Sequence, residues 1–174
     1  MNDFEKNINY YIDQYELEKQ LYKKGHEYLQ RGWLEKSEFL TICLWKSRRP
    51  KKLYNLNSEV EIKTATRLSF AEKDEIQKIK HLTKLHGVRI PTASAILSVT
   101  NPEKYPIIDK RCIDSLNDLG IIQWNVITES NWLQYLKVVR ELGLKYNLPA
   151  RNIEKGLFAY NRIKFDKQYR NLYK

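Results

Sequence analysis

The sequence predicts an all-α protein, because helical periodicity recurs along the chain while strand-like alternation is scarce. In most segments apolar residues return at three- and four-residue steps, which places them on one face of an α-helix. Hydrophobic residues make up 42% of the chain and charged residues 30%, a balance typical of globular rather than disordered proteins. A length of 174 residues fits one domain or one fold of two lobes, and no internal repeat suggests otherwise. We therefore expect a single domain over residues 1–174.

The first half of the chain predicts three segments. Apolar residues at helical spacing in the first thirty positions indicate one long or broken helix that ends at Gly32. Ser37 is a candidate cap for a short helix that ends near Pro50. The stretch KSRRPKKLYNLNSE, residues 46–59, is a basic connector with turn-forming Asn and Ser. The apolar positions of the two helical segments are Phe4, Ile8, Tyr11, Ile12, Tyr15, Leu17 and Leu21, then Phe39, Leu40, Cys43 and Leu44.

The second half predicts six further helices, of which the second has the clearest apolar stripe, at Ile76, Ile79 and Leu82. Residues 101–106, NPEKYP, form a loop between the third and fourth helices. Gly143 and Pro149 are expected to separate the last two helices. The predicted helices are Val60–Phe70, Ala71–Leu85, Pro91–Val99, Asp109–Gly120, Asn131–Leu142 and Arg151–Ile163.

The chain is strongly basic, with 31 Lys and Arg against 21 acids and a formal net charge of +10. Such a surplus favours a polyanionic partner, either nucleic acid or an anionic membrane, over a merely solvated basic surface. No apolar run approaches the roughly 18 residues of a membrane span, and the N-terminus MNDFEKNINYY is no signal peptide. We expect a protein that is not secreted and has no membrane partner, cytoplasmic or associated with the nucleoid.

The two cysteines and three histidines predict no metal site. Cys43 and Cys112 are too few for a disulfide framework or a four-thiolate zinc or iron–sulfur site. Both lie in apolar helical patterns, so we expect buried free thiols. The histidines do not form a metal-ligand spacing.

The segment LHGVRIPTASAIL, residues 85–97, predicts a tight turn between two helices. Gly87 allows the turn, and Pro91 is suited to the first position of the next helix. Backbone N–H groups of the turn and of the helix start then lack intrahelical partners and can bind a phosphate. Arg89 can add a charge and Thr92 a hydroxyl. The alternative is an ordinary helical hairpin in which Gly87 only turns the chain.

The longer segment LHGVRIPTASAILSVTNPEKYPIIDKRCIDSL resembles the helix-hairpin-helix and downstream Asp segment of the helix-hairpin-helix DNA glycosylase superfamily of base-excision repair. That family has a motif of the type L-P-G-V-G-x-K-T-A before an apolar helix, then a catalytic Asp. Its Asp position matches Asp109, 109 − 91 = 18 residues after Pro91, the spacing of the endonuclease III branch. The resemblance implies a two-lobed all-α fold, with the hairpin motif at about 72–99 and the Asp-bearing loop and helix at about 100–119.

The resemblance assigns a role to each matching residue. Asp109 would be the catalytic carboxylate, which stabilises positive charge on the sugar as the glycosidic bond breaks. It could equally be a helix N-cap, or both. Double-stranded DNA would be the partner of a monomeric protein, with no cofactor beyond a monovalent cation on the hairpin backbone. The DNA contacts would come from Gly87, Val88, Arg89, Pro91, Thr92, Lys110 and Arg111.

Several positions depart from the family pattern. Arg89 replaces the second hairpin Gly, and His86 stands where Pro is usual. Pro91 replaces the lysine that forms a Schiff base in bifunctional members, so the resemblance implies a monofunctional glycosylase. The four-Cys iron–sulfur loop of some branches is missing. A non-catalytic DNA-binding relative and a protein-interaction domain remain alternatives, although the charge argues against the latter.

A second basic cluster surrounds Trp45. Lys46, Arg48, Arg49, Lys51 and Lys52 lie beside this aromatic residue, which suits phosphate contacts and base stacking. The alternative is a solvated connector anchored by a core Trp45. The basic tail, comprising Arg162, Lys164, Lys167, Arg170 and Lys174, is expected to be a solvated end.

Overall fold

Helices account for all the regular secondary structure in the described part of the chain. The computed structural model describes residues 2–15 and 21–166, and no strand occurs among them. The all-α prediction is confirmed. In chain order the α-helices of these residues are α1 (Asp3–Lys6), α2 (Ile8–Asp13), α3 (Gly25–Arg31), α4 (Lys36–Lys46), α5 (Lys51–Leu56), α6 (Glu59–Ala71), α7 (Glu75–Thr83), α8 (Ile90–Thr100), α9 (Lys110–Asp118), α10 (Glu129–Tyr146) and α11 (Ala150–Asn161).

The N-terminal segment is a broken rather than a continuous helix. After α1 and α2, a short 3₁₀ turn at Leu21–Lys24 leads into α3, which ends as expected at the left-handed Gly32. Leu17, which belonged to the predicted apolar face, lies outside the described residues. Phe4 and Ile8 are buried, so the predicted stripe does face the core.

Side-chain caps explain where most helices begin. Ser58 and Glu61 form a capping box at α6, and the Asp74 carboxylate accepts a hydrogen bond from the Gln77 amide at α7. The prediction of a Ser37 cap for α4 is wrong. Glu35 takes that position, and its backbone amide donates to the Glu38 carboxylate at 2.8 Å.

Two boundaries inferred from sequence are corrected. Residues 51–56 of the supposed connector form α5, because Tyr54 is fully buried and anchors this turn of helix to the core. Helix α10 continues through Gly143 and ends at Tyr146, where the cap residue Asn147 has a left-handed φ of 52°. At Gly143 a Cβ atom would lie 2.7 Å from the Leu148 carbonyl oxygen, so this glycine permits close packing rather than ending the helix.

The helices pack in two groups that share one hydrophobic core. Helix α4 contacts α5, α6 and α8, and α8 also contacts α3 and α7. At the other end of the chain, α11 contacts α1, α2, α9 and α10. The first and last helices therefore lie together, and the middle of the chain forms the second group. Contact between α7 and α10 joins the two.

The cysteines are buried as the sequence predicts, whereas the C-terminal basic residues are only partly described. Cys43 and Cys112 are buried free thiols, as expected. Lys164 is paired with Asp118 and so is not simply solvated, while Lys167, Arg170 and Lys174 lie outside the described residues. None of the described helices combines the length and the apolar character needed to cross a membrane.

Candidate functional site

The turn between α7 and α8 presents unpaired backbone amides at the surface. Gly87 has a φ of 79°, in the left-handed region that favours glycine. Helix α8 begins at Ile90, so Pro91 occupies its second rather than its first position. Within the part of the chain that the structure describes, the amides of Gly87, Arg89 and Ile90 have no acceptor. Three free amides at the start of a helix can bind an anion.

Arg89 adds a charge to these amides. Its side chain is exposed and forms no ion pair with any residue of 2–15 or 21–166. An open groove of about 720 Å³ runs along the turn, from Leu53 across residues 83–91 to Ile127. The predicted phosphate-binding turn therefore has both free backbone donors and room for a ligand.

Asn57, at the end of α5, holds the hairpin in place. Its Oδ1 atom accepts from the His86 amide at 2.7 Å, and its Nδ2 atom donates to the His86 carbonyl at 3.1 Å. The buried amide side chain of Asn57 therefore satisfies both the backbone N–H and the backbone C=O of His86. The sequence predicts only a turn-forming role for Asn57, because its partner His86 lies 29 residues away and no local pattern links the two.

Tyr54 packs against the turn itself. A Cβ atom on Gly87 would lie 2.9 Å from Tyr54 Cδ1, so the absence of a side chain lets α5 and the hairpin approach closely. The Tyr54 hydroxyl lies 3.4 Å from the Thr92 hydroxyl, and Thr92 is only 5% exposed. The expected phosphate contact from Thr92 does not fit this geometry, since its hydroxyl faces inward. Val88 is likewise buried, and its amide donates to the Leu85 carbonyl.

Asp109 caps α9 with one carboxylate oxygen and faces Lys46 with the other. Its Oδ1 accepts from the Cys112 amide at 3.1 Å, which confirms the cap. Its Oδ2 lies 3.2 Å from Lys46 Nζ, and the side chains of Lys46 and Asp109 are 15% and 21% exposed. The sequence predicts Lys46 in a phosphate-binding cluster. The structure instead brings it to the predicted catalytic residue.

The residues before Asp109 are fixed by hydrogen bonds from three helices. The Ile108 amide donates to Ser94 Oγ of α8 at 3.1 Å. Tyr135 of α10 donates to the Ile107 carbonyl at 2.8 Å, and the Ile107 amide donates to Glu154 of α11 at 3.4 Å. Both isoleucine side chains are buried. The carboxylate is therefore carried on a rigid support, as a reacting group requires.

An aromatic cluster of Tyr15, Tyr22 and Trp45 lies beside Lys46 and surrounds Arg151. The Arg151 guanidinium lies 4.9, 5.2 and 6.0 Å from the three ring centroids, respectively. It donates to the Tyr15 hydroxyl at 2.8 Å and forms a fully buried ion pair with Glu154. These are cation–π contacts in a poorly hydrated environment, where such contacts are strongest.

The negative charge of Asp109 affects the pKa of two nearby groups, Tyr15 and Cys112. Burial raises the pKa of the Tyr15 hydroxyl, the Arg151 guanidinium opposes this rise, and the Asp109 charge adds to it. Burial also raises the pKa of the Cys112 thiol well above its usual value, again with a contribution from Asp109. Trp45 and Lys46 are adjacent at the end of α4, so the aromatic cluster and the ion pair of Lys46 with Asp109 meet at this end of the helix. Sequence reasoning missed Tyr15, Tyr22 and Arg151 as site residues, because no local pattern links residues so far apart.

The remaining basic residues divide into paired and unpaired ones. Arg111 donates to Asn161 and Asp166 at 3.0 and 2.9 Å, which ties α9 to the chain's end, and Lys110 pairs with Asp114. Arg48 and Arg49 are exposed and have no ion-pair partner among the described residues. The unpaired arginines are the better candidates for phosphate contacts.

Comparison with known proteins gives no relative. The chain matches no protein-family model, no curated protein and no solved structure. Among residues 2–15 and 21–166, no group of three or more His, Cys, Asp or Glu side chains could hold a metal ion. Any functional assignment must therefore come from the site itself.

Proposed function

We propose that this protein binds double-stranded DNA and hydrolyses the N-glycosidic bond of a damaged or modified base, in the manner of a helix-hairpin-helix DNA glycosylase. The observation that carries the proposal is the placement of Asp109. Its partly exposed carboxylate starts a helix on a rigid support, beside an aromatic cluster, in a chain whose hairpin presents free amides. The packing of the helices in two groups is compatible with the two-lobed fold of that family.

Asp109 would act on the sugar. Cleavage of an N-glycosidic bond builds positive charge on the ring, and a carboxylate at hydrogen-bonding range stabilises that charge. The same carboxylate can orient or deprotonate the attacking water. The rigid support keeps the carboxylate in place during the reaction, which lowers the reorganisation that the chemistry requires.

DNA would be held by its phosphates. The amides of Gly87, Arg89 and Ile90 can bind one phosphate, and the unpaired Arg48 and Arg49 can bind others. The target base must leave the duplex to reach an active site, and aromatic side chains can stack on the extruded base. Trp45 precedes Lys46 in sequence and packs edge-on against Tyr22, and both aromatic residues are partly exposed.

A second candidate is a non-catalytic helix-hairpin-helix module that holds or bends DNA in repair or in defence against foreign DNA. The ion pair of Asp109 favours it, because the carboxylate is already engaged by the Cys112 amide and by Lys46. In that case Asp109 is a structural cap and a counter-charge, and DNA binding alone is expected.

A panel of duplexes separates the two functions. Each duplex carries one different damaged or modified base, and base release and binding are scored separately with the protein in excess. Release from at least one duplex supports the glycosylase. Binding without release from every duplex favours the binding module, and absence of both overturns the assignment to DNA.

A further inference from the structure

A groove of about 900 Å³ lies at the end of α8 that is opposite the hairpin, and we call it the α7–α10 groove. Leu97 and Thr100 of α8 line it, together with residues of α7, of the loop 101–105 and of the segment 140–150. It shares no residue with the groove at the hairpin, and Asp109 does not line it. Its volume lies in the range of about 300–1,000 Å³ that is usual for sites of small ligands.

Lys78 of α7 is a buried cation in the wall of this groove. The residue is only 6% exposed, and its Nζ atom donates to the Ser69 carbonyl at 2.8 Å and to the Glu72 carbonyl at 2.6 Å. These two bonds close the end of α6 and leave one of the three N–H donors of the ammonium over. Lys78 forms no ion pair with any residue that the structure describes, and burial lowers its pKa. A buried cation without a counter-charge is costly, so an anionic ligand beside it would be stabilising.

The other charges around the groove leave an excess of cations. Glu75 pairs with Arg140 at 2.9 Å, and the Glu72 carboxylate accepts from the amides of residues 73 and 74 and faces His81. Within the ranges 2–15 and 21–166, neither Lys73 nor Lys104 has an ion-pair partner, and both are exposed. Glu103 is the remaining unpaired acid, so three unpaired cations stand against one carboxylate.

The groove also has an apolar wall. Phe70 at the end of α6 and Leu148 after α10 are both only partly buried. Leu97 lies beneath them in the core, and Leu144 is 85% exposed. Covering this apolar surface would be favourable, and an inorganic ion could not cover it.

We propose that the α7–α10 groove binds a small organic phosphate, whose phosphate group contacts Lys78, Lys73 and Lys104 and whose apolar body covers Phe70 and Leu148. A phosphate monoester suits the groove better than a carboxylate, because its second negative charge matches the excess of cations and its oxygens can accept from several donors. The inference does not rest on the proposed action on DNA, since the groove contains neither the hairpin nor Asp109.

Titration of ¹⁵N-labelled protein with phenyl phosphate, followed by NMR, measures both the affinity and the place of binding. We expect the amide signals of residues 72–78 and 101–105 to shift and to saturate. Phenol lacks the charge and inorganic phosphate lacks the ring, so each should bind about tenfold more weakly or worse. Saturating shifts confined to residues 86–92 would place the anion at the hairpin and overturn the inference. Benzoate binding as tightly as phenyl phosphate would overturn the preference for a phosphate.

Two charge reversals provide a matched test. Lys73→Glu and Lys137→Glu change the net charge equally, and both lysines are exposed, but only Lys73 lines the groove. We expect the dissociation constant of phenyl phosphate to rise about tenfold or more in Lys73→Glu. In Lys137→Glu it should stay within about twofold of the wild type, because salt screens distant exposed charges. Equal affinities in the two variants would overturn the proposal.

Lys78→Met tests the buried cation itself. Met has a similar length and no charge, and we expect the folded variant to bind phenyl phosphate about tenfold more weakly or worse. Wild-type affinity in a folded Lys78→Met protein would overturn the role of Lys78. If this variant does not fold, the comparison of Lys73→Glu with Lys137→Glu still decides. Base release by a protein that binds no phenyl phosphate would overturn this inference and leave the glycosylase standing.

Discussion

Gly87 is the residue at which the hairpin is most sensitive to substitution. Its φ of 79° is a left-handed conformation, and an added Cβ would lie 2.9 Å from Tyr54 Cδ1 and 3.0 Å from Leu53 Cβ. Gly87→Ala therefore has two effects, backbone strain and steric overlap. Gly120 provides a matched control, because its φ is 69° and a Cβ atom added there would meet no atom within 4 Å.

The two effects can be given magnitudes. A left-handed conformation costs a non-glycine residue about 1–2 kcal/mol. Overpacking in a well-packed region adds about 1–3 kcal/mol. We expect Gly87→Ala to lower the free energy of unfolding by about 2–5 kcal/mol, and Gly120→Ala by only the strain of about 1–2 kcal/mol.

Urea denaturation followed by the helical circular dichroism signal measures both variants. The difference between the two losses isolates the contact between α5 and the hairpin, and DNA affinity should fall for Gly87→Ala alone. Equal losses in the two variants would refute the close packing of Tyr54 and Leu53 on the turn.

Two further predictions test the DNA contact and the support of Asp109. Arg89→Ala should weaken DNA binding about equally for all sequences and reduce the slope of the logarithm of the binding constant against the logarithm of the salt concentration by about one unit. An unchanged slope would show that Arg89 does not contact a phosphate. Glu154→Ala leaves the buried Arg151 charge unpaired, so unfolding by urea should become easier by about 3–5 kcal/mol. Glu141→Ala removes the exposed partner of Lys137 and should change the free energy of unfolding by less than about 1 kcal/mol. Similar losses in the Glu154→Ala and Glu141→Ala variants would contradict the stabilising role of the buried Arg151–Glu154 pair.

Local signals predicted much of the fold. The stripe of Ile79 and Leu82 in α7 and the stop of α9 near Gly120 follow from spacing and from left-handed glycine, which act within a few residues. The boundaries failed where tertiary packing decided. Helix α5 begins with two lysines and its two leucines are exposed, yet buried Tyr54 is enough to anchor it.

The sequence predicts only part of the candidate site. Asp109 and Arg89 stood out because each lies in a short motif whose geometry is local. Lys46 and Asp109 are 63 residues apart, and their ion pair depends on how α4 packs against the rest of the fold. Arg151 looked like any other basic residue, since nothing in its neighbourhood in sequence shows that three aromatic rings enclose it.

Asp109→Asn tests the central claim most directly. Asn caps a helix about as well as Asp, so the variant should fold, and it should bind DNA at least as tightly because one negative charge is gone. Asp114→Asn, on the same helix, is the matched control and should leave base release unchanged. Under single-turnover conditions, on the duplex that the wild type processes best, we expect Asp109→Asn to release base about 10²-fold more slowly or worse. Base release at the wild-type rate in a folded Asp109→Asn protein would contradict the assignment of Asp109 as the catalytic carboxylate.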